Sequence, residues 1–151
     1  SNKDIKNIKR IILCSGKIYF ELQDRINELR LKTIHIIRLE QIYPFPYKTL
    51  QEEIEKFSDC EIVWCQEEPK NMGAWEFVKS RIEVVLEKVK SKNTNLHFIG
   101  RKAAASPATG VFDRHLANQK NLIRIAVEAR MKEIIDEEDG VSLVKYKLPI
   151  E

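Results

Sequence analysis

Apolar residues alternate along this chain between two rhythms. Arg10 to Cys14 (RIILC) is a near-continuous apolar run of strand length. Tyr19, Leu22, Ile26 and Leu29 then recur at helical spacing. Ile34 to Ile37 (IHII) reads as a second strand. Pro44 and Pro46 break the chain ahead of a helix with Leu50, Ile54 and Phe57 on one stripe. Ile62 to Cys65 (IVWC) is a third strand, and Trp75, Val78, Ile82, Val85, Leu86 and Val89 form the strongest helical stripe. A polar turn over Ser91 to Asn95 leads to a fourth strand, Leu96 to Ile99 (LHFI). Ser106, Pro107 and Gly110 mark a loop, followed by a helix carrying Ile123, Val127, Met131 and Ile134.

Strands this apolar are buried on both faces, and their alternation with helices predicts a parallel sheet covered on each side. Each crossover should be right-handed. The expected fold is a three-layer α/β domain with a mostly parallel sheet of four to five strands. Asp136 to Gly140 (DEEDG) reads as an acidic turn ending the last helix. Val141 to Lys147 (VSLVKYK) alternates loosely and reads as an added edge strand.

Composition narrows the function more than the fold. The 151 residues are enough for one domain with a core of its own. With 26 basic and 23 acidic residues, the net charge of +3 gives no support for nucleic acid or an anionic membrane. No apolar run approaches the ~18 residues needed to span a bilayer. Cys14, Cys60 and Cys65 are odd in number and lack CxxC spacing, which fits free thiols in a reducing compartment. Bacterial cytoplasm and mitochondrial matrix both qualify. Ser1-Asn2 reads as a remnant of tag removal, so residues 1–7 are set apart as lead-in and the chain is expected to be a piece of a longer protein.

Three loops could carry chemistry. Ser15-Gly16-Lys17 follows the first strand, where glycine lets backbone approach a ligand and a helix N-terminus favours anions. It matches no phosphate-loop pattern, and Ser15 as a simple helix cap is the blander alternative. Glu67-Glu68 follows the third strand, where one carboxylate could be tuned as acid or base by the other. Neighbours in extended chain point opposite ways, however. An ion pair with a lysine or arginine, with Asn71 capping the next helix, accounts for the same residues. Arg101 and Lys102 follow the fourth strand, where Arg101 could join Lys17 on a phosphate or remain solvated surface charge. His35 and His97 lie inside strands and read as structural. No zinc motif or nucleophile elbow is present.

Five segments, in this order and spacing, resemble one family. They are CSGKIYFEL (Cys14 to Leu22), IIRLEQIYPFP (Ile36 to Pro46), VWCQEEPKNMGAW (Val63 to Trp75), IGRKAAASPATG (Ile99 to Gly110) and FDRHLANQKNLI (Phe112 to Ile123). Over about residues 8 to 128 they look like the C-terminal domain of the first, decarboxylating component of 2-oxoglutarate dehydrogenase. The paralogous 2-oxoadipate dehydrogenase component shares this architecture. Residues 129–151 run past the end usual for the family, and Lys102 stands where many relatives have proline or aspartate.

The resemblance implies a transketolase C-terminal-like domain, commonly with an antiparallel fifth strand. It implies a full-length homodimeric enzyme of the tricarboxylic acid cycle that binds thiamin diphosphate and magnesium. That enzyme decarboxylates 2-oxoglutarate and passes the succinyl group to the lipoyl arm of the dihydrolipoyl succinyltransferase component. In the family, catalysis belongs to upstream domains holding the thiamin motif, a GDG with a later asparagine. Here only Asp139-Gly140 occurs, preceded by Glu138. No catalytic, cofactor or metal residue is therefore carried over, and this fragment is expected to act structurally, supporting the dimer and the catalytic domains. The alternative is a regulatory module that binds a nucleotide or acetyl-CoA. Its site would comprise Ser15, Gly16, Lys17, Glu67, Glu68 and Arg101.

Overall fold

Arg10–Cys14 forms β1, with all five residues buried. The other strands are β2 (Ile34–Arg38), β3 (Glu61–Cys65), β4 (Asn95–Arg101), β5 (Ile135–Glu138) and β6 (Val141–Lys147). The helices are α1 (Ile18–Glu28), α2 (Tyr47–Glu55), α3 (Trp75–Lys88) and α4 (Phe112–Glu128). These come from a computed structural model that describes residues 5–57, 59–89, 95–102, 112–130, 135–138 and 140–147. The Ser106 to Gly110 loop, the turn at 91–94, Met131, Ile134 and the terminal residues 1–4 and 148–151 lie outside the described residues.

The strands form one sheet in the order β2-β1-β3-β4-β6-β5. β1 pairs in parallel with β2 and with β3, and β3 with β4. β4–β6 and β6–β5 are antiparallel. This is the mostly parallel α/β architecture of a transketolase C-terminal-like domain.

Side chains alternate across the strands, as a pleated backbone requires. Ile12, Cys14, Val63 and Cys65 face one layer, where Ile18, Leu22 and Ile26 of α1 meet Leu122 and Ala126 of α4. Ile11, Leu13, Ile62, Trp64, Leu96 and Phe98 face the other, against Leu50 of α2 and Trp75, Val78 and Ile82 of α3. Burial on both faces explains why these strands read as continuous apolar runs.

The C-terminal segment departs from expectation. Residues 135–138 are a strand rather than an acidic turn, and the turn itself is narrower, at Gly140. β6 is not an edge strand: it lies between β4 and β5. Among the described residues, the two C-terminal strands bring the mostly parallel sheet to six. β5 is only four residues long and mostly acidic, IDEE, so hydrophobic periodicity does not reveal it. β6 contributes Val141 and Leu143 to the core.

Candidate functional site

Strand order reverses between β1 and β3, the place where open α/β sheets bind ligands at the carboxyl ends of their strands. Ser15 and Gly16 leave β1 there, and Glu67 and Glu68 leave β3. Gly16 has φ +83°, and a Cβ at this position would meet nothing within 4 Å. The glycine thus serves the turn's left-handed backbone rather than a close approach. Ser15 does not cap α1: the N-cap is Lys17, without a side-chain hydrogen bond. The Lys17 side chain is exposed.

The two glutamates lie in a bend after β3 and reach different partners. Glu67 Oε1 accepts from Gln119 Nε2 of α4 at 2.9 Å. Glu68 lies on the other side, where a Cβ on Gly73 would fall 2.6 Å from its Oε2. Arg101 donates to Gln119 Oε1, and Gln119 Nε2 also reaches Glu21 Oε2 at 3.1 Å. The structure thus joins Arg101 to Glu67 through an amide that sequence reasoning missed. Lys17 and Glu68 add no bond to this network. Nothing in the sequence around Gln119 signals its role, because α4 brings it over the sheet only in the folded chain.

Gln66 was also missed. Its side chain accepts from Trp64 Nε1 and from the Trp75 backbone N–H, each at 3.0 Å. It donates to the carbonyls of Glu68, Pro69 and Met72. Gln66, not Asn71, therefore satisfies the first turn of α3.

Arg38, at the end of β2, was not singled out either. Its guanidinium carbon sits 5.0 Å from the Phe20 ring centroid and 5.6 Å from that of Tyr19, within cation–π range. Burial pushes the nearby Cys14 thiol up to about 12, an effect Arg38 partly offsets. Cys65 is pushed well above its ordinary value by burial first, then by Cys14, Glu67 and Glu68. High pKa and full burial make these thiols poor nucleophiles. His35 stacks on Phe57 at 4.8 Å, and His97 Nδ1 lies 3.4 Å from the Ile62 carbonyl.

A groove of about 640 Å3 runs between α1 and α4, past Glu21, Arg25, Gln119 and Arg124. Another of about 510 Å3 lies along β2 and α2. Neither is lined by any of the six candidate residues.

The residues also bear on magnesium and a diphosphate cofactor. Gly140 has φ +78°, accepts from the Lys102 N–H through its carbonyl, and leaves a Cβ only 2.5 Å from Asn118 Oδ1. It is a hairpin glycine, not a cofactor cradle. Among the described residues, no group of three or more His, Cys, Asp or Glu is placed to hold a metal ion.

A family model described as 2-oxoglutarate dehydrogenase C-terminal matches residues 1–127. The chain belongs to this family. The proteins named 2-oxoglutarate dehydrogenase E1 component in Brucella anthropi, Brucella ovis and Brucella abortus are each 48% identical to it over 115 residues. That alignment covers 76% of this chain and 11% of each relative, so the chain spans about a tenth of their length. Three of the segments that carry the 2-oxoglutarate dehydrogenase resemblance contain the connections leaving β1, β2 and β3, and a fourth begins at the end of β4. All leave the same end of the sheet, because β1 to β4 are parallel.

Proposed function

We propose that this is the C-terminal structural domain of the decarboxylating component of 2-oxoglutarate dehydrogenase. It buttresses the catalytic domains and the homodimer and does no chemistry itself. The observation that carries this reading is the polar network at the switch point. Gln119 ties Glu21, Glu67 and Arg101 to one another, which holds α1, α4 and the ends of β3 and β4 in place. The full-length enzyme would hold thiamin diphosphate and magnesium in upstream domains, decarboxylate 2-oxoglutarate and deliver the succinyl group to the succinyltransferase component. Relatives named for 2-oxoglutarate favour that acid over 2-oxoadipate, and their bacterial sources favour the cytoplasm over the mitochondrial matrix. Calorimetry of this chain with thiamin diphosphate and magnesium should show no saturable binding; tight, magnesium-dependent binding overturns the reading.

The order reversal between β1 and β3 favours a second reading, regulatory binding of a nucleotide or acetyl-CoA at Ser15, Gly16, Lys17, Glu67, Glu68 and Arg101. Charge argues against it, since Glu21, Glu67 and Glu68 repel a phosphate and Arg101 is already engaged. Titrating AMP and acetyl-CoA decides between the two. Saturable binding lost in Lys17→Ala and Arg101→Ala establishes the regulatory site.

A further inference from the structure

Large apolar side chains are exposed at one end of this domain more than elsewhere. Tyr43 is 78% exposed, Met72 58% and Phe20 55%, the three highest values among the described large hydrophobics. Phe20 lies in the first turn of α1, Tyr43 in the β2–α2 connection and Met72 in the β3–α3 connection. Tyr47, also exposed, opens α2. All four therefore sit at the carboxyl end of the parallel strands. The Tyr43 ring stands edge-on to Phe77 at 6.1 Å, and Arg81 covers Phe77 at 3.6 Å. Phe20 is backed by Arg38. Tyr43 and Phe20 are thus held in place and yet uncovered.

The family pattern lies on the same rim. Three of the five segments that carry the family resemblance run through the connections after β1, β2 and β3, and they contain the exposed Phe20, Tyr43 and Met72. None of the four exposed side chains lines either described groove.

We propose that this rim is the face on which the domain docks against the upstream, catalytic portion of its own polypeptide. The inference rests on the structural reading above. About nine-tenths of each relative lies outside the matched segment, so a large covering body belongs to the same chain. Tethering favours that body over a separate partner. Free proteins need about 800 Å2 of buried surface each for a stable interface, more than four side chains offer. Domains joined in one chain hold together through smaller contacts, because the linker keeps their effective concentration high.

The test uses the full-length enzyme. A photo-cross-linking benzoylphenylalanine at position 43 or 72 should give intrachain cross-links to segments preceding this domain. The same group at Val84, exposed on the middle of α3, should give none. Cross-links from 43 and 72 to a second copy of this domain, or to the succinyltransferase component, or their absence, overturn the proposal. Tyr43→Glu with Met72→Glu should speed proteolytic release of the domain about tenfold, the scale of losing an interface anchor. The melting temperature of the isolated chain should not change; release at the parental rate counts against the docking face. Deleting the domain separates the two claims. An active, dimeric enzyme after deletion defeats the structural role. Lost assembly without rim cross-links defeats only the docking face.

Discussion

Gln66 is 4% exposed, and its side chain makes five hydrogen bonds that fold the loop after β3 back onto the start of α3. Gln66→Leu keeps the volume but strands Trp64 Nε1, the Trp75 N–H and three carbonyls. We expect a loss of about 3 kcal/mol in urea unfolding, because unsatisfied buried groups cost more than a hydrogen bond gains. A loss well under ~1 kcal/mol would mean that water replaces the amide. The thiols carry a pH dependence. Cys14 rises from 9.0 to about 12, and Cys65 also rises. The unfolded chain gives up these protons first, so the stability they confer is full below pH 9 and is lost as pH climbs towards about 12. Unfolding midpoints measured across that range should fall with pH, and less steeply in Cys14→Ala. A thiol reagent at pH 8 should label Cys14 and Cys65 only after denaturation. Of this residue-scale detail, the sequence shows the divergence of Glu67 and Glu68 but not the bridging amides, since a lone glutamine looks alike on a surface and in a core.

Among elements, α3 is the most legible. Its stripe of Trp75, Val78, Ile82, Val85 and Leu86 is the buried face, because 3.6 residues per turn put these positions on one side. Ile82, with no exposed surface, packs against the sheet, whereas Val84 is 39% exposed. Ile82→Ala should cost about 2–5 kcal/mol through lost burial and a residual cavity, and Val84→Ala less than ~0.5 kcal/mol. Thermal unfolding of the two variants checks the assignment; equal costs would mean that α3 is rotated from this orientation. β5 marks the opposite limit, since four mostly acidic residues are too short a run to carry a readable period.

For the whole molecule, β6 is the element on which the sheet turns from parallel to antiparallel. It pairs with β4 from Asn95 to Arg101 and places Val141 and Leu143 in the core over α4. A chain ending at residue 130 should lose that cover and leave β4 with an unpaired apolar edge, a template for aggregation. Size-exclusion chromatography should show oligomers or precipitate; a monomer as stable as the full chain would mean that β6 only decorates the sheet. The sequence alone determined the alternation of strands and helices, the two-sided burial of β1, β3 and β4, and the family. Each of these rests on local periodicity or on residues close together along the chain. Only the tertiary structure decided the strand order, the inner place of β6, the gathering of Glu21, Glu67, Arg101 and Gln119, and the shared end of Phe20, Tyr43 and Met72. Those depend on which distant segments pair, and hydrophobic pattern records that a face is buried without recording what buries it.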